Sequence, residues 1–293
     1  MSTYRFILSE KAHHPVRVLC RVLRVSRSSY YAWVAGSTHI SRADHELLAH
    51  VRAIHRHHKG RYGAPRVTLE LRAQGFTVGR RRVARLMRAN GLAGRPRRRF
   101  RGSTTDSKHQ QPVAPNLLER DFRADSPNRV LVGDITYLPV QGGWVYLAVL
   151  IDLFSRKVVG WAMNDNMETS LCLEALRQAT ATRQGLQGAI HHTDRGSQYA
   201  SCDYRKALKS AGMVQSMSRK GDCWDNAVAE SFFGTLEQEL VDGQVWRDLP
   251  QAKKAVGNYI HGYFNAKRRH STIGGVSPVD FEEQHRATQK VAA

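Results

Sequence analysis

Apolar residues recur at every fourth position between Asp222 and Leu240, a pattern that predicts one amphipathic helix. Glu230 lies away from this apolar face, on a polar stripe that also carries Asn226 and Glu237. The helix is therefore expected to pack on a core through its apolar side chains while Glu230 remains available for chemistry. The residues of the apolar face are Trp224, Val228, Phe232, Leu236 and Leu240.

The region before this helix has the pattern of a sheet. Residues 129–140 alternate between apolar and polar, Gly142 and Gly143 suit a hairpin turn, and residues 144–154 form a nearly continuous apolar run typical of a central strand. Further apolar runs and amphipathic stretches extend the order to β-β-β-α-β-α-β-α. This order predicts an α/β fold: a mixed five-stranded sheet that begins with a hairpin and carries helices on its faces.

The N-terminal part has the pattern of short helices. Residues 14–35 predict two of them and residues 42–58 a longer one. Two more helices, from Pro65 to Gly75 and from Gly79 to Asn90, resemble a helix-turn-helix, and the second is rich in arginine. A solvated basic surface is the alternative. The arginines expected to contact DNA are Arg80, Arg81, Arg82, Arg85 and Arg88.

The N-terminal region and the predicted sheet region differ in net charge. The net charge is +20, and residues 1–101 hold 23 Lys and Arg against 4 Asp and Glu, a net of +19. Such a concentration of positive charge indicates a polyanionic partner, most often nucleic acid. The basic, aperiodic stretch 95–127 is expected to be a linker, with Arg97, Arg98 and Arg99 along phosphates.

Composition narrows the class of protein further. The sequence has no apolar run that could span a bilayer and no signal-peptide pattern, and its four scattered cysteines favour a reducing cytoplasm. The histidines have no cysteine partners in zinc-site spacing, so they are not expected to bind metal. A cytoplasmic, DNA-binding protein is the resulting expectation.

Three acidic residues lie where the predicted sheet would bring them together. Asp134 is in the first strand, Asp194 ends the fourth strand, and Glu230 is on the helix that follows the sheet. Carboxylates this close repel one another unless a cation lies between them, and hard oxygen ligands suit Mg²⁺ or Mn²⁺. Two such ions can promote phosphodiester cleavage. Asp152, His191 and His192 are expected to have structural roles.

The sequence blocks around these residues resemble the second-frame (OrfB) transposases of the IS-three group of bacterial insertion sequences, in the DDE transposase and retroviral integrase superfamily. The resemblance covers residues 42–285. It is carried by VLVGDITYL, YLAVLIDLFSRKVVGWAM, HHTDRGSQYAS, DNAVAESFFGTL and YFNAKRRHSTIGGVSPVDF.

The resemblance implies a ribonuclease H-like core whose catalytic and metal-binding triad is Asp134, Asp194 and Glu230. It implies metal-dependent cleavage of DNA at the element's ends, followed by attack of the freed 3′-OH on another strand. It further implies recognition of terminal inverted repeats, a multimer, association with the bacterial nucleoid, and an upstream-frame (OrfA-type) partner. The alternatives are a catalytically silent DNA-binding regulator and a ribonuclease H-type nuclease.

The sequence departs from the family pattern at Leu131, His192 and Glu237. The family usually has Lys or Arg seven residues after the catalytic glutamate, where it contacts DNA, and a carboxylate at Glu237 would repel phosphate. Either the recognition of ends differs, or Arg268 and Arg269 make the contact. Asn226 is expected to contact DNA or to orient Glu230.

These expectations divide the chain into five segments. They are a short helical segment at 1–40, a helix-turn-helix-like domain at 41–94, the basic linker at 95–127, the catalytic core at 128–241, and a C-terminal helix with a basic tail at 242–293.

Overall fold

The computed structural model describes residues 3–35, 42–96, 109–219 and 226–292. The chain divides into two compact units, residues 1–93 and residues 94–293. No helix among the described residues is long and apolar enough to cross a membrane. The finer division of the chain into five segments stays a prediction.

The first unit is helical. Ile7, Cys20 and Tyr30 form a small buried core between its first three helices. Ser26 caps the third helix by accepting a hydrogen bond from Ser29 N at 3.1 Å, as the serine-rich turn predicts. The first helix was not predicted. The helices are α1 (Thr3–Glu10), α2 (Val16–Val22), α3 (Arg27–Val34), α4 (Arg42–His57), α5 (Ala64–Ala73) and α6 (Arg80–Ala89).

The pair α5 and α6 forms the predicted helix–turn–helix arrangement. Pro65 lies in the first turn of α5, where its missing N–H leaves no hydrogen bond unmade. Gly91, which follows α6, has a φ of +64°, a conformation that glycine adopts without strain. Val67, Leu71 and Leu86 are fully buried and hold these helices together.

The second unit contains a five-stranded sheet in the order β3-β2-β1-β4-β5. Strands β1, β2 and β3 form an antiparallel meander, while β4 runs parallel to β1 and β5 runs parallel to β4. This is the mixed, hairpin-led sheet predicted for a ribonuclease H-like core, so that prediction is confirmed. The strands are β1 (Val130–Val140), β2 (Gly143–Asp152), β3 (Val158–Asn164), β4 (Ile190–Thr193) and β5 (Val214–Met217).

Helices cover both faces of this sheet. One face, which carries Leu131, Ile135 and Ala148, packs on α7, α8 and α9. Trp161 points from the opposite face and hydrogen-bonds His261 in the turn that continues α11. The helices are α7 (Thr169–Thr182), α8 (Ser197–Ala200), α9 (Cys202–Ser210), α10 (Ala227–Leu236), α11 (Leu249–Tyr259) and α12 (Pro278–Ala292).

Two of these helices continue as π-helical turns, Glu237–Val241 after α10 and Ile260–Asn265 after α11. A π turn adds one residue to the helical repeat and changes which side chains face inward. Glu239 is therefore buried, and Leu240 is only partly so. The apolar face predicted for residues 222–240 extends only as far as Leu236, and its first part, 222–225, lies outside the described residues.

Candidate active site

The two aspartates of the site lie on neighbouring parallel strands. The register pairs Val132 of β1 with His192 of β4, and two residues further along these strands are Asp134 and Asp194. Parallel strands are about 4.8 Å apart, so this register brings the two carboxylates to the same end of the sheet. As the sequence predicts, Asp134 lies within β1, and Asp194 directly follows the last residue of β4.

A glycine permits this close approach of β1 and β4. A Cβ atom added to Gly133 would lie 2.7 Å from Cε1 of His191 and 3.3 Å from the side chain of Thr193. The His191 ring fills this space and hydrogen-bonds the Tyr204 hydroxyl at 2.8 Å. Burial lowers the pKa of His191 to about 3, so the ring is neutral at physiological pH. His191 therefore has a packing role, as predicted.

Backbone amides hold both aspartates in place. Ile135 N donates to Oδ1 of Asp134 at 2.8 Å, and Gly196 N donates to Oδ1 of Asp194 at 3.0 Å. A Cβ atom at Gly196 would lie only 3.1 Å from the same Asp194 oxygen, so glycine suits the turn that brings the amide close. These hydrogen bonds limit the movement of the carboxylates before any substrate or ion binds.

Glu230 lies in the first turn of α10 and is exposed. Asn226, which precedes the helix, is buried, and its Nδ2 donates a long hydrogen bond of 3.4 Å to Gly133 O. The start of α10 is thereby attached to β1 next to Asp134. Burial and this contact favour the orienting alternative for Asn226, and both alternatives stay predictions.

The carboxylates influence one another electrostatically. Burial raises the pKa of Asp134 well above its usual range, and the charges of Asp194 and then Glu230 raise this pKa further. The pKa of Glu230 is raised by burial. Asp194 therefore acts on Asp134 more strongly than Glu230 does.

The spacing of these groups is not that of a closed metal site. Within the described ranges, no three His, Cys, Asp or Glu side chains lie close enough together to hold an ion. Asp134 and Asp194 are on the sheet, and Glu230 approaches them from the helix. All three are hard oxygen donors. Burial, together with the charges of Asp194 and Glu230, raises the pKa of Asp134, and a cation would relieve the repulsion between the carboxylates.

The other acidic and histidine candidates are occupied by structural contacts. Asp152 is fully buried and accepts hydrogen bonds from Asn128 N at 2.7 Å and Ser155 N at 3.0 Å. His192 contacts the hydroxyls of Ser216 and Ser218 at 2.8 and 3.2 Å. Both residues therefore have the structural roles that the sequence predicts.

The contacts that Arg268 makes within the described residues are internal to the protein, and its contact with DNA stays a prediction. Arg268 is buried, and its guanidinium binds Glu239 through Nε and Nη2 at 2.9 Å. Arg269 is partly buried and donates from Nη1 to Gly275 O at 2.9 Å, so a contact with DNA stays a prediction for this residue. Glu237 is partly buried at the start of the π turn.

The arginines of the first unit differ in their contacts. Arg82 and Arg85 bind the two oxygens of Asp44 at 2.7 and 2.6 Å, and the hydrogen bond from Arg85 is the largest of the effects that lower the pKa of Asp44. These two guanidinium groups are thus partly engaged within the protein. Arg80, Arg81 and Arg88 are exposed on α6. The linker arginines Arg97, Arg98 and Arg99 lie outside the described residues.

The sequence did not reveal the partner of Glu239 or the attachment made by Asn226. The Glu239–Arg268 pair joins residues 29 positions apart, and no local pattern reports such a contact. The only signal available was a glutamate directly before Leu240 and Val241, near the end of the predicted helix. For Asn226, the signal was its position at the start of that helix, which led to the orienting alternative.

Three family models match parts of the chain. Residues 124–223 and 230–285 match family models described as integrase core domain, and residues 42–100 match an HTH-like domain. A solved structure of the HTLV-2 integrase catalytic core domain in complex with magnesium is 20% identical, with a TM-score of 0.41, and the match covers 55% of this chain and 99% of that one.

Two curated relatives span almost the whole chain. The 31 kDa protein of insertion element IS600 from Shigella sonnei is 40% identical over 91% of this chain and 98% of its own length. The transposase InsF of insertion sequence IS3A from Escherichia coli K12 is 43% identical over 97% of this chain and 99% of its own length. The chain therefore belongs to the IS3 family of insertion-sequence transposases, DDE-type enzymes that act in DNA transposition.

Proposed function

We propose that Asp134, Asp194 and Glu230 are the catalytic residues of this transposase. They act first in hydrolysis of a phosphodiester at the element's end and then in attack of the freed 3′-OH on another strand. The observation that supports this most directly is the register of β1 and β4, which brings Asp134 and Asp194 to the same end of the sheet, where Asn226 attaches the start of the Glu230 helix to β1.

The same three residues would hold the divalent ions, Mg²⁺ or Mn²⁺, of which we propose two. Carboxylate oxygens suit these hard cations, and no histidine competes because His191 and His192 are buried in packing contacts. Divalent ions held by such carboxylates stabilise the charge that develops on the attacking and leaving oxygens of a phosphodiester. Because the described residues contain no closed three-ligand set, Glu230 is expected to complete the set when an ion binds.

The chain's own residues prepare this reaction by fixing the carboxylates. The amides of Ile135 and Gly196 restrain the two aspartates, and Asn226 attaches the Glu230 helix to β1. Rigid positioning of this kind reduces the reorganisation that the reaction requires. The buried ring of His191, on β4, is neutral; it packs against Gly133 of β1 and hydrogen-bonds the Tyr204 hydroxyl.

DNA is the substrate, and we propose that the helix-turn-helix-like region and the basic linker bind the element's terminal repeats. Exposed Arg80, Arg81 and Arg88 on α6 are available for phosphate contacts, and Arg97 to Arg99 follow in the linker. We further propose action as a multimer in the bacterial cytoplasm, together with an upstream-frame partner. The charge of residues 1–101 supports the DNA-binding part of this proposal.

The test is strand transfer with labelled element ends and Mg²⁺. Asp134→Asn, Asp194→Asn and Glu230→Gln should each abolish strand transfer and leave the affinity for the ends nearly unchanged in a gel-shift titration. Glu283→Gln, which neutralises an exposed carboxylate on α12, is the matched control and should retain activity.

Two outcomes would contradict the proposal. Retained strand transfer in any triad variant would show that the corresponding carboxylate is dispensable. Cleavage without any strand-transfer product in the wild-type protein would favour a nuclease, and DNA binding without cleavage would favour a silent regulator.

A further inference from the structure

A groove of about 360 Å³ lies beside the turn that follows the Glu230 helix. It is lined by the end of α10 and the π turn Glu237–Val241, by the loop 242–245, and by Pro139 near the end of β1. All of these residues belong to the second unit. The volume of the groove is within the range of ligand-binding sites, roughly 300–1,000 Å³.

Backbone contacts hold the loop that lines this groove. At its beginning, Asp242 N donates to Glu237 O at 2.8 Å. At its end, Trp246 pairs with Val140 in a parallel bridge, and Gln141 N donates to Trp246 O at 2.8 Å. The groove is therefore built from backbone that is fixed to both the π turn and the end of β1.

The lining of the groove is acidic, although the chain as a whole has a net charge of +20. Glu237 and Asp242 both line it and are partly buried, and no Lys, Arg or His is among its described lining residues. Pro139, Val241 and Val245 add apolar surface, and Val245 is 60% exposed. Such a lining repels phosphate and suits a cationic segment that also carries an apolar side chain.

The chain itself brings such a segment to the edge of the groove. Arg95 donates from Nη1 to Gln238 O at 3.1 Å, and Gln238 donates from Nε2 to Arg95 O, so the backbone before Pro96 is attached to the π turn. Pro96 is itself part of the lining. The next five residues, 97–101, read Arg-Arg-Arg-Phe-Arg and lie outside the described residues. Consecutive Cα atoms are about 3.8 Å apart, so this segment begins at the groove.

We propose that the acidic groove binds the arginine-rich segment 97–101 of its own chain when no DNA is bound. The two carboxylates attract the arginines, and Val241 and Val245 offer apolar surface to Phe100. Ion pairs of this kind are individually weak, but a segment tethered beside its site has an effective concentration in roughly the millimolar range, so weak pairs suffice. Glu237, where the family usually has Lys or Arg, then attracts cations of its own chain.

The groove and DNA then compete for the same arginines. This competition rests on the proposed function in one respect, which is that Arg97 to Arg99 bind phosphates. A guanidinium that pairs with a carboxylate of the groove is withdrawn from phosphate, so occupation of the groove lowers the apparent affinity for DNA. DNA that takes the arginines in turn releases the segment from the π turn behind Glu230.

The first experiment is limited trypsin digestion of the full-length chain without DNA, in which mass spectrometry measures the rate of cleavage after the arginines of 97–101. The groove variant is Glu237→Gln/Asp242→Asn. The control is Asp165→Asn/Glu283→Gln, which removes two exposed carboxylates of the same unit. Loss of two weak ion pairs should speed this cleavage by about threefold to tenfold in the groove variant, and the control should keep the wild-type rate. Cleavage elsewhere in the chain should not change, which separates release of the segment from a general loss of stability.

The second experiment is a gel-shift titration with DNA. The groove variant should bind DNA more tightly than the wild type by up to the same factor. Removal of two negative charges could by itself have this effect, so the groove variant is also made in the background Arg97→Gln/Arg98→Gln/Arg99→Gln. The gain in affinity should vanish there, because no arginine is left to release.

Three results would overturn the binding of this segment in the groove. They are an unchanged cleavage rate in the groove variant, an equal rise in the control, and protection that increases with protein concentration, which would indicate the segment of a second copy. Faster cleavage in the groove variant with unchanged DNA affinity would support the groove and contradict the phosphate contacts of Arg97 to Arg99. The digestion requires neither DNA nor a metal ion, so a failed triad assignment would leave its outcome distinct.

Discussion

Replacing Arg268 by methionine should destabilise the second unit and leave the intrinsic affinity for DNA unchanged. Both partners of the Glu239–Arg268 pair are buried, with side chains 1% and 6% exposed. Nε of Arg268 lies 2.9 and 3.0 Å from the two oxygens of Glu239, and Tyr259 donates to the same carboxylate at 2.9 Å. Burial opposes the charge of Arg268, but the Glu239 carboxylate outweighs it and raises the pKa of the guanidinium.

The size of the loss in free energy of unfolding follows from the contacts that Glu239 keeps after Arg268 is replaced. Arg268→Met leaves the Glu239 carboxylate buried beside the Tyr259 hydroxyl and without its guanidinium partner. Removing one partner of a buried pair typically costs about 3–5 kcal/mol, whereas replacing both by apolar residues is often neutral. Arg268→Met should therefore lower the free energy of unfolding by about 3–5 kcal/mol, and Arg268→Met/Glu239→Leu should recover most of that loss.

The assay is urea denaturation followed by tryptophan fluorescence, because Trp144, Trp161 and Trp246 all lie in the second unit. Arg247→Met is the control: Arg247 forms an exposed pair with Asp248, and its loss should cost less than about 1 kcal/mol. Unchanged unfolding together with weaker DNA binding in Arg268→Met would refute the structural role and support the DNA-contact prediction.

Three further predictions concern the site itself. Because burial raises the pKa of Asp134 in the folded state, the folded protein keeps a proton that the unfolded chain has already lost. Without metal, the free energy of unfolding should therefore fall as the pH rises from the usual carboxyl pKa of 3.8 through the raised pKa. Asp134→Asn should remove this fall when thermal unfolding is followed against pH. Gly133→Ala should cost about 1–3 kcal/mol in urea denaturation because of the clash with His191, whereas Gly143→Ala, in open space, should cost less. Asn226→Ala should slow single-turnover strand transfer by about fivefold, the equivalent of one hydrogen bond of about 1 kcal/mol, with unchanged gel-shift affinity. An unchanged fall of stability with pH in Asp134→Asn, equal costs for the two glycine variants, or a weakened affinity in Asn226→Ala would contradict the respective prediction.

The sheet could be predicted from the sequence because strand patterns are local. In β2, Leu147 and Val149 face one side while Ala148 and Leu150 face the other, and all four are buried. A strand covered on both faces therefore shows a continuous apolar run. The glycine pair at 142–143 gave the hairpin, and Gly142 has the positive φ that such a turn requires. Element order and the positions of both aspartates followed from these patterns.

The buried face of α10 was only partly predictable. A spacing of four selects Phe232 and Leu236, but the helix also buries Ala229 and Phe233, at the i, i+3 and i+4 positions of a wider stripe. Beyond Leu236 the π turn changes the repeat, and no propensity in the sequence announces a π turn. α1 was missed for a related reason, since its apolar residues 6–8 are consecutive and show no helical period.

The contacts at the two ends of the Glu230 helix explain how one helix serves both stability and chemistry. Asn226 attaches its beginning to Gly133 on β1, and Glu239 attaches the π turn after it to Arg268 and Tyr259. The Glu230 side chain between these attachments is exposed, and its influence on Asp134 is weaker than that of Asp194. Because the backbone is held at both ends, we expect the Glu230 side chain, and not the helix, to move when the proposed carboxylate set binds an ion. A defect in either attachment should therefore slow strand transfer without altering DNA affinity.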